Sequence, residues 1–338
     1  VYTADKVTAR LADSSGTSDA MSINLKSMTA DRSAAQTVTE IDIADSVETL
    51  NLNATGMKTG TAAVQKTVST LTADNSLTTL NISGSDKLAL TTLTAAKLAT
   101  IDGGTHTGDL TIGSSAASLA QTITTGSGND TITMGANLTA ADVIDGGGNA
   151  VTAAGTTGKD KLTATGNQGS AVTAAALQIS NVETVEIATG GAAASYIDGS
   201  KLSGVSSMAF SSTSGSVTLS NMPAGVGLGL GIGAGESTST YTYTLADATG
   251  TEDALTLSYP SGVDASTSNT IVTSGMETLN IVASTEATNA ETSTLVLTNA
   301  KVSTINVTKG HANDTLALGT LPKTVTTLDA GAAKNIIT

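Results

Sequence analysis

The stretch Leu11–Ile23 decides the fold, because its sequence LADSSGTSDAMSI returns as LADATGTEDALTL at Leu245–Leu257. Each copy places a glycine turn and then an aspartate directly before residues that alternate between apolar and polar. Alternation at every second residue is typical of a β-strand that has one face in a core. A segment that returns far along the same chain indicates a repeat architecture. The pair therefore predicts short strands that belong to repeated units.

The same order of motifs follows both copies. The sequence VETLNL at Val47–Leu52 matches METLNI at Met276–Ile281. Further on, LTTLNI at Leu77–Ile82 matches VSTINV at Val302–Val307. Short strands at irregular intervals suit coils that bury their apolar faces against one another. We therefore predict an all-β protein whose fold is a parallel β-solenoid with irregular turns rich in glycine and aspartate.

A partial third copy lies between these two. It consists of GKDKL at Gly158–Leu162, followed by VETVEI at Val182–Ile187. All three copies share one pattern, in which an aspartate before an apolar strand is followed, after a variable stretch, by a Glu-Thr pair that opens the next apolar strand.

We expect three modules from this pattern. A first solenoid module covers 1–145, a partial module with a glycine-rich stretch covers 146–235, and a second, truncated copy of the module covers 236–338. The second copy stops at Thr338, level with about Ile112 of the first. We therefore expect the natural chain to continue past this point.

Composition excludes several classes of function. The 338-residue chain carries a formal net charge of −14 and only two arginines, Arg10 and Arg32. Nucleic-acid binding needs clustered Lys and Arg, so we expect no nucleic-acid partner. No run of about eighteen apolar residues occurs, so we expect no membrane-spanning helix. An acidic chain suits calcium, which prefers carboxylate and carbonyl oxygen.

One turn carries the clearest metal signal. Gly126–Met134, with the sequence GSGNDTITM, matches the calcium nonapeptide Gly-Gly-x-Gly-x-Asp-x-apolar-x except at the second glycine. Glycines allow turns that aim carbonyl oxygens inward, and the aspartate adds a carboxylate. The alternative is that the glycines only make tight turns and Asp130 caps its own backbone. We expect calcium here and at the related turns. The predicted calcium ligands are Gly126, Gly128, Asn129, Asp130, Asp145, Gly146, Gly148, Asp160, Asp13, Asp19, Asp247 and Asp253.

Other polar residues give weaker signals. For the pairs Asp13 with Asp19 and Asp247 with Asp253, an Asx turn is as good an explanation as a shared ion. Weaker candidate ligands are Asp86, Asp102, Asp109 and Asp314. Solvation is predicted for the glutamates of the Glu-Thr motif, with metal ligation as the alternative; they are Glu48, Glu183 and Glu277. Solvation is also predicted for four strand asparagines, with an outward ladder as the alternative if the strands stack; they are Asn51, Asn81, Asn280 and Asn306. Both histidines, His106 and His311, are predicted to be solvated.

The repeats resemble two known groups of proteins. The turn Gly126–Asp130 resembles the RTX calcium repeat of proteins exported by type I secretion. The longer string formed by Leu245–Leu257, Met276–Ile281 and Val302–Val307 is similar to the lattice-forming region of Caulobacter-type surface-layer proteins. The resemblance implies a right-handed parallel β-solenoid, calcium ions between turns, and a two-dimensional crystalline coat outside the outer membrane.

These observations lead to one functional expectation and two alternatives. We expect a secreted structural component of a calcium-dependent bacterial surface layer (S-layer) on the cell surface, which binds other copies of itself. A contact with lipopolysaccharide is expected through a region outside this chain. The first alternative is an RTX-type adhesin. The second is a β-helix enzyme that degrades polysaccharides, which the scarcity of arginine and aromatic residues disfavours. No catalytic motif such as Gly-x-Ser-x-Gly or His-Glu-x-x-His is present, so we expect no enzymatic activity.

Overall fold

The computed structural model of the chain describes most, but not all, of its residues. The described residues are 2–13, 15–26, 35–44, 46–56, 65–113, 119–149, 158–166, 176–191, 195–213, 215–230, 238–258, 268–282, 292–298, 301–308, 315–331 and 336–337. Within these ranges every regular element is a β-strand. No helix among them is long and apolar enough to cross a membrane.

The chain divides into two compact units. Unit 1 comprises Val1–Ala164 and Gln178–Glu183, and unit 2 comprises Thr165–Leu177 and Thr184–Thr338. The division into three modules predicted from the sequence stays a prediction.

Unit 1 contains fourteen strands that alternate between two sheets. They are β1 Tyr2–Ala9, β2 Ala20–Lys26, β3 Gln36–Ile43, β4 Thr49–Thr55, β5 Lys66–Ala73, β6 Thr79–Gly84, β7 Leu88–Thr94, β8 Thr100–His106, β9 Leu110–Ile112, β10 Thr122–Thr124, β11 Thr131–Gly135, β12 Val143–Asp145, β13 Lys161–Thr165 and β14 Gln178–Ser180. The odd-numbered strands form one sheet and the even-numbered strands form the other. The strand pairings in both sheets are parallel among the described residues, so each coil adds one strand to each sheet.

Unit 2 repeats this arrangement with fifteen strands. They are β15 Thr184–Gly191, β16 Ser195–Asp198, β17 Leu202–Ser203, β18 Ser207–Thr213, β19 Ser216–Met222, β20 Gly227–Gly229, β21 Thr238–Leu245, β22 Ala254–Ser258, β23 Ser268–Ser274, β24 Thr278–Val282, β25 Thr292–Thr298, β26 Thr304–Thr308, β27 Thr315–Leu318, β28 Thr327–Asp329 and β29 Ile336–Ile337. One sheet has the order β15-β18-β20-β22-β24-β26-β28, and another has the order β16-β19-β21-β23-β25-β27-β29.

The core consists of apolar columns that run from coil to coil. In unit 1, Leu50, Leu80, Ile101, Ile123 and Ile144 lie in register, and each is at most 1% exposed. Residues between them on the same strands face outward, as the alternating burial of β4 and β6 shows. The predicted all-β parallel solenoid is therefore confirmed.

The sequence repeats correspond to neighbouring coils. Leu50 pairs with Leu80 in unit 1, and Leu279 pairs with Ile305 in unit 2. The backbone contacts repeat as well. Both N–H groups of a Glu-Thr pair donate to one aspartate carbonyl, that of Asp19 in unit 1 and that of Asp253 in unit 2. Equivalent motifs therefore make equivalent structure.

The asparagines between the core residues form ladders. Asn81 Nδ2 donates to Asn51 Oδ1 over 2.8 Å, and Asn306 Nδ2 donates to Asn280 Oδ1 over 2.9 Å. These asparagines face outward as predicted, and the ladder, not the solvated amide, is the alternative that holds. Parallel, in-register stacking places identical side chains directly above one another, so their amides bond to each other.

Candidate metal centre at the coil corners

The candidate site lies at the corners, which we define as the turns that carry the chain from one sheet to the other. Successive coils lie about 4.8 Å apart, so their corners stack closely. A Cβ added to Gly108 would lie 2.7 Å from the carbonyl oxygen of Asp86, and one added to Gly128 would lie 2.3 Å from that of Gly108. A glycine is required at these corners because any side chain would meet the backbone of the preceding coil.

In the sequence repeats, an acidic side chain of one corner accepts a hydrogen bond from the backbone of the preceding corner. Glu48 Oε2 accepts from the backbone N–H of Asp19 at 2.7 Å, and Glu277 Oε2 accepts from that of Asp253 at 3.0 Å. The glutamate of the third copy repeats this contact, because Asp160 N–H donates to Glu183 Oε2 at 2.7 Å. The prediction that these glutamates are solvated is therefore wrong.

The same contact is stacked over several coils in unit 1. Leu110 N–H donates to Asp130 Oδ1 at 2.7 Å, and Asp130 N–H donates to Asp160 Oδ1 at 2.6 Å. Asp160 N–H in turn donates to Glu183. Three carboxylates, those of Asp130, Asp160 and Glu183, therefore follow one another along this corner. We call these three residues the carboxylate stack.

Burial makes this stack electrostatically costly. Asp130 and Asp160 are each only 1% exposed. Burial raises the pKa of Asp160 to about 7. The hydrogen bond from Asp130 N–H lowers this pKa, whereas the negative charges of Asp130, Glu183 and Asp109 raise it further. Burial also raises the pKa of Asp130, although hydrogen bonds from Leu110, Thr125 and Gly126 oppose it. A cation or a proton would relieve the stack.

One oxygen at each repeated corner has no hydrogen-bond partner among the described residues. Oδ2 is buried and unpartnered in Asp19, Asp160 and Asp253, which are the equivalent aspartates of the three sequence copies. Buried polar atoms are nearly always partnered, so each exception needs an explanation. The recurrence of the same orphaned oxygen at three equivalent positions indicates a shared chemical purpose.

The nonapeptide turn uses its polar groups internally. Asp130 Oδ2 accepts from Gly126 N–H at 3.2 Å, which is the capping contact weighed as the alternative to metal binding. Asn129 N–H donates to Asp109 Oδ1 at 3.0 Å, and Asn129 Oδ1 lies against Gly158. A carboxylate oxygen has two lone pairs, so it can bind a cation as well as accept one hydrogen bond. These bonds therefore do not exclude ligation by Asp130, which stays a prediction.

The glycine-rich turn after β12 lies beside the carboxylate stack. Asp145 Oδ1 accepts from Gly147 N–H at 3.0 Å and from Asn181 Nδ2 at 2.8 Å. A Cβ added to Gly146 would lie 3.0 Å from Asp160 Oδ2, so this turn and Asp160 are brought together. Gly148 N–H donates to the carbonyl of Gly126 at 2.8 Å.

Asp13 and Asp247 lie in exposed Asx turns. Asp13 Oδ1 accepts from Ser15 N–H at 3.1 Å, and Asp247 Oδ1 accepts from Thr249 N–H at 3.0 Å. Hydrogen bonds from the hydroxyl and N–H of Ser15 lower the pKa of Asp13, and those of Thr249 do the same for Asp247. The Asx alternative describes both turns, and ligation by these two aspartates stays a prediction.

The weaker candidates have separate environments. Asp102 Oδ1 accepts from Gly104 N–H at 2.9 Å in an exposed turn, and Asp109 forms an ion pair with Lys87. Asp86 is buried and pairs with Lys66. Asp314 and His311 lie outside the described residues.

His106 and Lys66 are among the buried polar residues that were not foreseen. His106 is 0% exposed, so the prediction of a solvated histidine is wrong, and neither of its ring nitrogens has a hydrogen-bond partner within the described ranges. Lys66 is buried as well, although the sequence analysis did not single it out. The burial of Lys66 could have been predicted from the alternation of β5, because Lys66 lies two residues before the buried Val68 and so shares its inward face.

The corner oxygens suit a hard cation such as calcium. The unpartnered Oδ2 of Asp160, next to the Gly146 turn, is the best-placed donor. In the part of the chain that the structure describes, no three His, Cys, Asp or Glu side chains are grouped closely enough to hold a metal by themselves. A calcium ion would therefore take most of its about six to eight oxygens from backbone carbonyls and water.

Comparison with known proteins adds no assignment. No family model matches the chain, and no curated protein matches it.

Proposed function

We propose that this chain is a non-catalytic, calcium-stabilised solenoid that forms part of a secreted bacterial surface layer and assembles with copies of itself. The observation that carries the proposal is the recurrence of one corner in three copies. In each copy an aspartate donates its N–H to a glutamate and keeps a buried Oδ2 without a partner. Calcium between the coils would be bound by those oxygens. A solenoid of repeated coils is a regular unit from which a surface layer can be assembled.

Thermal unfolding with and without calcium tests the metal part of this proposal. An ion that binds only the folded chain at one hundred times its Kd adds about 2.7 kcal/mol per site. We expect a chelator to lower the Tm by at least about 5 °C. Asp160→Ala should reduce that difference, whereas Asp198→Ala, in an exposed Asx turn, should leave it unchanged. Identical melting curves with calcium and with chelator would show that the proposed calcium role is wrong.

Electron microscopy tests the assembly part. We expect the full-length protein to form ordered sheets with calcium and to disperse when a chelator is added. Persistent monomers at all calcium concentrations, in a protein whose Tm still depends on calcium, would contradict the surface-layer role and leave the metal role intact.

The adhesin alternative has one observation in its favour. Unit 2 contains a groove of about 780 Å³ lined by Thr273, Thr298, Lys301, Leu321 and Lys323, among other residues. Pockets of about 300–1,000 Å³ are typical of small-ligand sites. Two lysines and several hydroxyls in an acidic chain suit an acidic sugar. Titration of the chain with an acidic oligosaccharide such as trigalacturonate distinguishes the two functions, because only an adhesin should bind it saturably as a monomer.

A further inference from the structure

A buried ammonium group, that of Lys66, lies at a corner of unit 1. Lys66 Nζ donates to the carbonyl oxygen of Leu25, to that of Thr55 at 2.7 Å, and to Asp86 Oδ2 at 2.7 Å. The side chains of Lys66 and Asp86 are only 3% and 5% exposed. An ammonium has three N–H donors, and here each of them has an oxygen acceptor.

The oxygens around this ammonium come from three successive coils. Leu25 lies in β2, Thr55 ends β4, and Asp86 lies in the turn between β6 and β7. Two backbone carbonyls and one carboxylate are also the donor types that a hard metal cation binds. The pocket therefore has the chemistry of a metal site, but a side chain of the protein provides the positive charge.

The ammonium and the carboxylate stack lie on the same corner of unit 1. Lys66 is in register with Leu88, and Leu88 is in register with Leu110. Leu110 N–H then donates to Asp130, the first member of the carboxylate stack. This corner therefore holds a paired cation in its earlier coils, and in its later coils it holds stacked carboxylates that form no ion pair within the described ranges.

We propose that the oxygens of Leu25, Thr55 and Asp86 form a cation pocket that Lys66 fills from within the chain. The coils around β5 and β7 consequently hold together without a bound metal, whereas the coils around the carboxylate stack need one. The second statement rests on the calcium role proposed above. The first concerns the pocket alone.

Replacement of the lysine tests the pocket. Lys66→Ala removes the ammonium that pairs with the buried Asp86 carboxylate, so the Tm in chelator should fall by on the order of 10 °C. Calcium chloride should restore most of the lost Tm. Calorimetry should show that Lys66→Ala binds one more equivalent of calcium than the unmodified chain. Sodium chloride at equal ionic strength should do neither. The matched control is Lys87→Ala, since Lys87 pairs with Asp109 at a half-exposed site. It should change neither quantity.

A double variant separates an empty pocket from damaged packing. Lys66→Met with Asp86→Leu removes both charges, and such apolar replacements of buried pairs are often neutral or stabilising. We expect it to fold and to bind no additional calcium. If Lys66→Ala gains no calcium equivalent and its Tm does not recover, the pocket proposal is wrong.

Hydrogen exchange on the unmodified chain decides the outcome even if Lys66→Ala does not fold. In chelator, amides of β5 and β7 should stay protected while those of β11 and β13 exchange faster. Equal acceleration in both groups would overturn the proposal and leave the calcium role standing. If no amide responds to the chelator, the calcium role fails, and the claim that β11 and β13 need a metal fails with it.

Discussion

Asp160 shows at the scale of one residue how burial and repetition change the chemistry of a carboxyl group. Its N–H and one carboxylate oxygen join three coils, and its other oxygen has no partner among the described residues. The sequence predicted it as a calcium ligand from its place after a glycine. The sequence could not predict its pKa, because this depends on which carboxylates the folded coils bring beside it.

The pKa of Asp160 predicts an unusual pH dependence. Without calcium the folded group stays protonated to about pH 7, while in the unfolded chain it titrates near pH 4. The folded state therefore holds more protons between about pH 4 and pH 7, and its stability falls as the pH rises through that range. Between pH 5 and pH 8 in chelator, the free energy of unfolding of the unmodified chain should fall by about 2–4 kcal/mol because of this group. Asp160→Asn should not show this fall. Urea unfolding at the two pH values measures both proteins.

The control for this measurement is Asp198→Asn. Hydrogen bonds, first that from Ser200 N–H, lower the pKa of Asp198, so this group favours the folded state as the pH rises. The variant should retain the loss of stability between pH 5 and pH 8. If the unmodified chain and Asp160→Asn have the same pH dependence, Asp160 is not the group responsible.

At the scale of the element, alternation predicted the strands but not their register. The apolar positions of β4 and β6 were predicted to face inward, and they do. The amide ladders were predicted only as an alternative, because a pattern within one strand says which side chains face outward but not what lies above them. Lys66 and His106 were missed for a related reason, since the closure of a coil decides whether a polar residue is buried.

The corner glycines give a prediction at this scale. Gly128→Ala should destabilise the protein by about 1–3 kcal/mol, because the new Cβ would lie 2.3 Å from the carbonyl oxygen of Gly108. Gly148→Ala is the matched control, since nothing lies within 4 Å of a Cβ there. It should change the free energy of unfolding by less than about 0.5 kcal/mol. Denaturant unfolding measures both, and equal losses would contradict close stacking at Gly128.

At the scale of the whole molecule, a solenoid divides its stability among neighbouring coils. The sequence predicted this architecture because the same motifs return in the same order. Damage in one unit should therefore remain local.

Two equivalent glutamates test this locality. Glu48→Ala removes the acceptor of Asp19 N–H in unit 1, and Glu277→Ala removes that of Asp253 N–H in unit 2. Each should cost about 1–3 kcal/mol locally, because a partly buried donor loses its partner. Hydrogen exchange followed by mass spectrometry should show faster exchange only in coils of the altered unit. Glu252→Ala, at an exposed position, should have no effect. Faster exchange in both units from either variant would contradict a solenoid of independent neighbours.

The direction of the corner contacts has a consequence for how such a chain can change over generations. Six described corners donate an N–H to a carboxylate of the following coil. Such a coil has a carboxylate that accepts from the preceding coil and an N–H that donates to the following coil. It is therefore complementary to a copy of itself. Duplicating or deleting such a coil leaves this N–H-to-carboxylate contact satisfied at the new junction. The chain can thus lengthen or shorten by whole coils without inventing a new interface.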